Sequence, residues 1–348
     1  MNCWMHASQA TGFHRVRYMD FETRTPMLGR HRMACSGAFC RYTLTINDLA
    51  FNEEVHYSDP SQRSDMSLTE HTLTRTVSVD GVEVTFHDSA DEVAGGRPLV
   101  LVHGTGGDIA THFGHLFPMM ATRTRVIGVD WAEPDSGTPL TLDVLVAQVR
   151  AAADAALGPG TPFDLLGYSL GSVVAEALAA RLGKRVEHLI LVAGWLRTDL
   201  QQTMRNQVWQ VLYGSDRDAL RRYTAFCGFS GSFFQQFTPE MLEGALKTLG
   251  TSEFVRRQMA LNADIDITDE IGEITARTLI VSCTDDIMVP RHHQLQLLGA
   301  IDDARLTSVS SGHAIFMERP AELMEITDLF LREPNRYPAG TIIPETRS

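Results

Sequence analysis

Ser169 is the residue whose surroundings most clearly indicate chemistry. It lies at the centre of Gly167–Gly171, which reads GYSLG and fits the pattern G-x-S-x-G. This pattern is typical of a sharp turn from a strand into a helix, which exposes a serine hydroxyl above a sheet. A turn this tight leaves little room for side chains at the two glycines. Free N–H groups at the start of the helix would favour developing negative charge, as in acyl transfer.

The residues on both sides of Ser169 support this turn. Phe163–Leu166 is a short, mostly apolar run behind a Gly- and Pro-rich stretch at 158–162, as expected of a buried parallel strand. Apolar residues then recur at helical spacing from Val173 to Leu182, until Gly183 supplies a C-cap signal. The pentapeptide alone would also fit a serine on an ordinary glycine-rich turn. The strand before it and the helix after it argue against that alternative.

Two more groups of reactive side chains follow later in the chain. Asp285 and Asp286 lie in a loop directly after a predicted strand, and His313 lies between the next predicted strand and a predicted helix. Carboxyl ends of parallel strands meet at one edge of a sheet, where open α/β sheets bind their ligands. We therefore expect the active residues at this edge.

Strands and helices alternate along most of the chain. Residues 74–79 and 82–86 alternate in polarity around Asp80 and Gly81, which is a strong hairpin signal. The later alternation of apolar strands with helices predicts an α/β fold with a mostly parallel, doubly wound sheet. Over 194–275 the alternation stops and several helical stretches intervene. We predict that this segment is a helical lid, inserted after the sixth strand.

The predicted domain organisation has three parts. Residues 1–65 carry seven Arg, no Lys and seven acidic residues without a sustained period, so we expect a poorly ordered N-terminal extension. Met66 reads like a natural start, which predicts that this extension precedes the true start. A transit peptide is the alternative, although Asp20 and Glu22 weaken it. Residues 66–332 form the α/β domain with its insertion, and residues 333–348 form a C-terminal tail.

Charge and cysteine content limit the partners. The chain has 348 residues, a net charge of −13 and a pI near 5.4, which argues against nucleic acid or an anionic membrane as partner. The expected partner is a small-molecule substrate that is neutral or weakly charged, and a homo-oligomer is left open. Five scattered cysteines without a C-x-x-C pair fit reduced thiols and a cytoplasmic location, and they do not support a bound metal. No apolar run is long enough to span a bilayer, and no secretory signal is recognisable.

Four motifs, taken in order, resemble the α/β-hydrolase superfamily over roughly residues 70–332. They are the H-G-x-G loop at His103–Gly106, the serine turn at Gly167–Gly171, the D-x-x-V-P loop at Asp286–Pro290 and the G-H-x-x-x-x-E-x-P segment at Gly312–Pro320. Together they are far more specific than any one of them. The resemblance implies a serine hydrolase that needs neither cofactor nor metal, within an α/β-hydrolase domain at 66–332.

The resemblance also implies a role for each member of a catalytic triad. Ser169 would be the nucleophile, and His313 would act as general base and then as general acid. Asp286 would orient the imidazole, because family members of this pattern place the acid four residues before the proline. Asp285 is a near rival for that role, and Asp199 is a more remote alternative used by some relatives.

Other residues near these motifs receive supporting roles. The resemblance implies that the backbone N–H groups of Thr105 and Leu170 bind the oxyanion. His103 is expected to shape the loop around Thr105 and is kept out of the catalytic set. His292 and His293, beside the acid loop, are expected at the surface at the start of a helix.

Large aromatic residues are frequent in the predicted lid. We predict that some of them line an apolar substrate pocket, since such clefts have apolar walls. For any single one, packing of the lid onto the sheet is the alternative. The predicted substrate-binding residues are Trp195, Trp209, Phe229 and Phe233.

The residue types at the site limit the reactions that it could catalyse. A serine at position 169 argues against similarity to haloalkane dehalogenases and epoxide hydrolases, which use aspartate there. Carbon–carbon hydrolases of the fold usually have a tryptophan after the catalytic histidine, whereas Ala314 follows His313 here. The leading hypothesis is hydrolysis of a carboxylic ester or lactone with an apolar acyl or ring portion, through an acyl-serine intermediate. A C–C bond hydrolase, a thioesterase or cyclase, and a non-catalytic small-molecule receptor stay open.

Overall fold

A computed structural model describes residues 68–90 and 96–344 of the protein, together with the backbone of some strands nearer the amino terminus. The chain divides into two compact units, Met1–Asp59 and Pro60–Ser348. Within the first unit, three strands form an antiparallel sheet: β1 (Phe13–Met19), β2 (Pro26–Cys35) and β3 (Cys40–Tyr42). The sequence pattern did not indicate these strands. The predicted poor order of residues 1–65 lies largely outside the described residues and stays a prediction.

The second unit is built on an eight-stranded sheet with the strand order β11-β10-β9-β8-β6-β7-β5-β4. Its strands are β4 (Leu73–Val79), β5 (Val82–Asp88), β6 (Leu99–Val102), β7 (Val126–Asp130), β8 (Phe163–Tyr168), β9 (Val186–Val192), β10 (Arg277–Cys283) and β11 (Ala304–Val309). Strands β6 to β11 are parallel to one another, while β5 is antiparallel to both β4 and β7. The predicted hairpin is confirmed: β4 and β5 meet at Asp80 and Gly81, which both have positive φ. The predicted α/β fold with a mostly parallel, doubly wound sheet is also confirmed.

Helices cover both faces of the sheet. They are α1 (Ile109–Phe113), α2 (Leu116–Ala121), α3 (Leu142–Leu157), α4 (Leu170–Leu182), α10 (His292–Ala300), α11 (Ile315–Glu318) and α12 (Pro320–Arg332). Side chains alternate across a strand, so Val100 and Val102 of β6 enter one core and Leu99 and Leu101 enter the other. The first core contains buried residues of α3, α4 and α10, and the second contains those of α1, α2 and α12. Burial on both faces explains why the central strands are continuously apolar.

Five α-helices lie between β9 and β10, where the insertion 194–275 was predicted. They are α5 (Leu200–Ser215), α6 (Arg217–Gly228), α7 (Gly231–Phe234), α8 (Pro239–Thr248) and α9 (Glu253–Ala263). A short polar side chain caps the N-terminus of each; the caps are Asp199, Asp216, Ser230, Thr238 and Ser252. These caps explain why the insertion divides into separate helices. Its action as a lid stays a prediction.

The predicted C-terminal tail, residues 333–348, is described as far as residue 344. It runs beside the outer strand β11. There Leu306 N–H donates to the carbonyl of Thr341, and Ile343 N–H donates to the carbonyl of Leu306. These bonds pair part of an otherwise open sheet edge. Among the residues that the structure describes, no helix has the length and apolar character that a membrane span requires.

Glu176 is a carboxyl group enclosed by the core beneath the serine turn. It lies on α4 with no exposed surface, and the Ser172 hydroxyl donates to its Oε1 at 3.0 Å. Within the described residues its Oε2 has no hydrogen-bond partner. Burial raises the pKa of Glu176 well above the ordinary value of 4.5. Burial therefore favours the protonated, neutral side chain at pH values where an exposed carboxyl group is ionised.

The Glu176→Gln variant is expected to be more stable than the wild type at pH 8, by a margin that narrows towards pH 5. The folded wild type keeps a proton that the unfolded chain loses above about pH 4.5. Its free energy of unfolding therefore falls with rising pH, by up to about 1.4 kcal/mol per pH unit from this group alone. Glutamine does not titrate and keeps an acceptor for Ser172. Urea unfolding of both proteins at pH 5, 6, 7 and 8 measures the difference.

Glu325→Gln is the matched control, because Glu325 is exposed on α12. Its stability difference from the wild type should not vary with pH in this way. A Glu176→Gln difference that is constant between pH 5 and pH 8 would mean that Glu176 is ionised in the folded protein.

Candidate active site

Ser169 lies between the last residue of β8 and the first residue of α4. Its backbone has φ 54° and ψ −122°, a region that residues other than glycine rarely adopt. A Cβ at Gly167 would collide with the carbonyl of Gly171. A Cβ at Gly171 would collide with carbonyl oxygens of Val102 and His103 at the end of β6. The two glycines thus allow the chain to turn sharply at Ser169, as the sequence predicted.

The structure brings Ser169, His313 and Asp286 into one hydrogen-bonded chain. His313 Nε2 lies 2.9 Å from Ser169 Oγ, and His313 Nδ1 lies 2.6 Å from Asp286 Oδ2. All three are buried, with 7%, 6% and 5% of their surface exposed, respectively. When Nδ1 donates its proton to Asp286, the lone pair of Nε2 faces the serine hydroxyl. This is the arrangement in which an imidazole can remove the hydroxyl proton.

The loop after β10 fixes the Asp286 carboxylate. The backbone N–H groups of Met288 and Val289 both donate to Asp286 Oδ1, at 2.7 and 2.9 Å. This leaves Oδ2 for His313. The rival Asp285 is exposed, and the other candidate, Asp199, contacts His292. Of the three carboxylates considered from the sequence, Asp286 is the one that contacts His313.

The loop that carries His313 is anchored by a glutamate of the same motif. Glu318 accepts hydrogen bonds from the N–H of Gly312 at 3.1 Å and from the hydroxyl of Ser230 at 2.6 Å. Ser230 N–H also donates to it, at 2.7 Å. A further bond comes from the Tyr168 hydroxyl, which donates to the carbonyl of His313. The glutamate of the G-H-x-x-x-x-E-x-P pattern therefore joins the histidine loop to the insertion.

The two predicted oxyanion donors have no acceptor among the described residues. Thr105 N–H lies between two N–H groups that are engaged: Gly104 N–H donates to His112 Nδ1 at 3.0 Å, and Gly106 N–H donates to Gln258 Oε1 at 2.9 Å. Leu170 N–H is in the first turn of α4, where no carbonyl of the helix can accept it. Both groups are therefore available to a ligand.

His103 has the structural surroundings that the sequence suggested. Its Nε2 accepts from the N–H of Trp131 at 3.3 Å, and its Nδ1 lies 2.8 Å from the carbonyl oxygen of Gly104. Burial lowers the pKa of His103, and burial together with His103 and His313 lowers that of His112 well below its ordinary value. Both rings are therefore neutral around pH 7 and serve as fixed hydrogen-bond partners for the loop.

Two polar residues of the insertion support this loop, and the motif analysis missed both. Gln258 and Asn262 lie four residues apart on α9 and are buried. Gln258 accepts from Gly106 N–H, and Asn262 Nδ2 donates to Thr105 Oγ1 at 2.9 Å. Residues at this spacing share a helix face. The sequence does contain one indication of this role: two amide side chains four residues apart, next to apolar Val255 and Met259. This pattern matches no named motif.

The four predicted substrate-binding aromatics fall in three clusters. Phe229 and Phe233 pack together with Ala314, the residue that follows His313. Trp209 packs with Leu220, Val255 and Met259 of the insertion, while Trp195 lies in the core beneath the sheet and donates its indole N–H to Thr198. The structure thus places the two phenylalanines next to the histidine loop and the two tryptophans in other clusters. A substrate contact stays a prediction for all four.

The α/β-hydrolase fold is defined by a serine on a strand-to-helix turn with an aspartate and a histidine after two later strands of the same sheet. Here the serine follows β8, the aspartate follows β10 and the histidine follows β11. Residues 99–326 match the model of the alpha/beta hydrolase family, and the chain belongs to that family. The family and the hydrolases among its relatives make this protein an enzyme with hydrolase activity. The resemblance seen in the sequence is confirmed.

Three known proteins illustrate what the chain is similar to. The pyrrolizixenacetamide deacetylase of Xenorhabdus hominickii is 33% identical over 68% of this chain and 91% of that protein. The 2-hydroxy-6-oxo-2,4-heptadienoate hydrolase of Pseudomonas putida is 25% identical over 74% of this chain and 95% of that protein. The crystal structure of the enol-lactonase from Burkholderia xenovorans LB400 has a TM-score of 0.64 at 20% identity, covering 74% of this chain and 100% of that one. This last likeness concerns the fold alone.

Proposed function

We propose that the enzyme hydrolyses a carboxylic ester or lactone of an apolar small molecule through an acyl-Ser169 intermediate. In this proposal His313 moves the protons, Asp286 orients His313, and Thr105 N–H and Leu170 N–H bind the oxyanion. The observation that carries it is the hydrogen-bonded chain from Asp286 through His313 to Ser169, next to two N–H groups that are free to bind a ligand.

The proposed reaction has two half-reactions. Ser169 Oγ attacks the carbonyl carbon while its proton passes to His313 Nε2, which gives a tetrahedral intermediate. The imidazolium then donates this proton to the leaving oxygen, the bond to that oxygen breaks, and an acyl-serine ester remains. Water attacks the ester in the same way, with its proton taken by His313 and returned to Ser169 Oγ. The steps use side chains and backbone groups of this chain and require no cofactor.

The main requirement on the site is to stabilise the negative charge that develops on the carbonyl oxygen. Two backbone N–H donors, one of them at the N-terminus of the 13-residue helix α4, would bind it without reorganising. The loss of one such donor typically costs about 10²–10³-fold in rate. Gln258 and Asn262 are proposed to hold the Thr105 loop in position for this interaction.

The insertion is proposed to act as a lid over the site. Its helix α9 bonds to the Thr105 loop through Gln258, and its Ser230 bonds to Glu318 of the histidine loop. The insertion thus contacts both loops that border Ser169. Phe229 and Phe233 would form part of an apolar wall for the acyl or ring portion of the substrate. A pocket closed in this way favours apolar over charged substrates.

Amides are a further substrate class that the same mechanism would hydrolyse. The Xenorhabdus relative is by name a deacetylase of an acetamide, and it is 33% identical to this chain. The same proton transfers serve an amide, because the imidazolium can protonate a leaving nitrogen. A C–C bond hydrolase is a second candidate, favoured by the Pseudomonas relative at 25% identity. Ala314, which stands where such hydrolases of the fold usually have tryptophan, makes it the weaker one.

A matched substrate panel tests the proposal. We expect p-nitrophenyl acetate, butyrate and octanoate and a series of δ-lactones to be hydrolysed, with acylated Ser169 detected by mass spectrometry after a rapid acid quench. The panel also contains the p-nitroacetanilide that matches the acetate, an acyl thioester and a vinylogous 1,5-dione, whose C–C cleavage releases a carbanion stabilised by the second carbonyl group. Product mass spectrometry identifies the bond that was broken.

Each outcome of the panel separates two reactions. Faster turnover of the anilide than of the matched acetate would indicate that the enzyme is an amidase that uses the same acyl-serine intermediate. Consumption of the dione without ester or lactone hydrolysis would contradict the proposal and favour the C–C hydrolase. Hydrolysis of the panel substrates by Ser169→Ala at the rate of the wild type would contradict the covalent mechanism.

We further propose a small-molecule substrate as the partner, rather than nucleic acid or a membrane, and a cytoplasmic location. The net charge of −13 supports the first proposal. For the second, Cys227 and Cys283 are buried free thiols, and burial raises the pKa of both. Thiols stay reduced in the cytosol, so two cysteines without a disulfide fit this second proposal.

A further inference from the structure

Three side chains with metal-binding atoms converge where the insertion leaves the sheet. Asp199 immediately precedes α5, and His292 and His293 are the first two residues of α10. We call this group the Asp199 cluster. His292 Nε2 lies 2.8 Å from Asp199 Oδ2, and His293 Nε2 lies 3.3 Å from the same oxygen. One ligand atom from each residue lies within 4.8 Å of the other two.

The two oxygens of Asp199 have separate tasks. Oδ1 accepts from Gln202 N–H at 2.9 Å and caps α5, while the Gln202 side chain accepts from Asp199 N–H at 3.1 Å. This capping box fixes the orientation of Asp199 without Oδ2. Oδ2 is turned towards the two histidines and is hydrogen-bonded to His292 Nε2, a bond that a bound ion would replace.

His293 is the observation that points to a ligand. The sequence predicted surface positions for both histidines; His292 is exposed, but the prediction is wrong for His293, whose side chain is fully buried. Within the described residues neither ring nitrogen has a hydrogen-bond partner, because the 3.3 Å approach to Asp199 lacks hydrogen-bond alignment. Buried polar atoms are normally satisfied. A buried imidazole with its Nε2 beside a carboxylate and a second imidazole is suited to bind a cation.

We propose that the Asp199 cluster binds a divalent transition-metal ion such as zinc through Asp199 Oδ2, His292 Nε2 and His293 Nε2. Zinc accepts imidazole nitrogen and carboxylate oxygen at about 2.0–2.2 Å, which separates tetrahedral ligands by about 3.4 Å. The 2.8 and 3.3 Å separations are close to this value, and the ligand atoms of the two histidines lie within 4.8 Å of each other. His292 has 47% of its side chain exposed, which provides an entry path and room for water as fourth ligand.

The bound ion would link the insertion to the sheet domain. Asp199 precedes the first helix of the insertion, and α10 follows the loop that carries Asp286. His293 N–H also donates to the carbonyl of Pro290 at the end of that loop. An ion held by both elements would stabilise the base of the insertion without touching Ser169. This role does not depend on the proposed reaction.

Titration of untagged, chelator-treated protein with ZnCl₂ and CoCl₂ tests the proposal. We expect a zinc site that raises the Tm by about 5 °C or more when zinc is at a hundredfold excess over its Kd. Cobalt should give visible d–d bands of an ion bound by nitrogen and oxygen. In His292→Gln, which keeps a polar partner for Asp199, we expect the zinc affinity of this site to fall at least about tenfold and the cobalt bands to be lost.

Two further variants separate metal binding from helix capping. Asp199→Asn keeps an oxygen that can cap α5, so its metal-free Tm should stay near that of the wild type while the zinc response declines. His115→Gln removes an exposed histidine at the start of α2 and should behave like the wild type. Equal zinc affinity and Tm shift in the wild type and in His292→Gln would overturn the proposal, because the ion would then be bound elsewhere. The absence of any zinc response in the wild type would overturn it as well.

Discussion

Replacement of Ser169 by alanine is expected to lower kcat/KM for the best ester of the panel by about 10³–10⁶-fold. The variant lacks the oxygen that forms the acyl intermediate, while the oxyanion donors and the pocket remain. It should also lose labelling by a fluorophosphonate probe, which reacts with an activated serine. Steady-state kinetics and mass spectrometry of the probe-treated proteins measure both effects.

The structure should tolerate this variant, since alanine removes only an oxygen and keeps the side-chain shape at a strained position. Its Tm should therefore remain close to that of the wild type. Ser310→Ala is the matched control, because Ser310 is an exposed serine that precedes the histidine loop. Ester hydrolysis that is retained in Ser169→Ala would contradict the covalent mechanism. A wild type that binds small molecules but is not labelled at Ser169 would instead favour a receptor.

The local parts of the site could be predicted from the sequence. The sharp turn at Ser169 depends on Gly167 and Gly171 and on the strand and helix that flank them, all within about twenty residues. The position of Asp286 and His313 at the same sheet edge follows from the alternation of strands and helices. Short-range pattern and topology therefore predicted the sheet edge, while the choice of Asp286 over Asp285 and Asp199 rested on the family resemblance, in which the acid stands four residues before the proline.

Contacts between distant segments could not be predicted in this way. Gln258 and Asn262 meet the Thr105 loop from more than 150 residues away, and they do so because the insertion packs back across the sheet edge. The burial of His293 has a similar cause, since Asp199 and α10 approach each other only in the folded chain. The tail beside β11 is a third example. Periodicity reports which face of an element is apolar, but it does not report which partner covers that face.

Replacement of Asp286 by asparagine is expected to lower kcat by about 10⁴-fold. The asparagine oxygen can still accept from Met288 and Val289, so the loop should keep its shape. The new NH₂ group would face His313 Nδ1 and donate to it, which moves the ring proton to Nε2. That nitrogen then points a proton at Ser169 Oγ and can no longer accept one. Steady-state kinetics across the substrate panel measure the loss.

The two rival carboxylates supply the controls, because each becomes asparagine with the same change in charge. Asp285→Asn alters an exposed side chain, and Asp199→Asn keeps a cap for α5, so both should retain kcat within about threefold when assayed with a chelator. A large loss in either rival with little loss in Asp286→Asn would identify a different acid and contradict the proposed triad. The contrast is decisive because the three positions differ in contact with His313: a carboxylate that orients the imidazole must touch Nδ1, and Asp286 lies 2.6 Å from it.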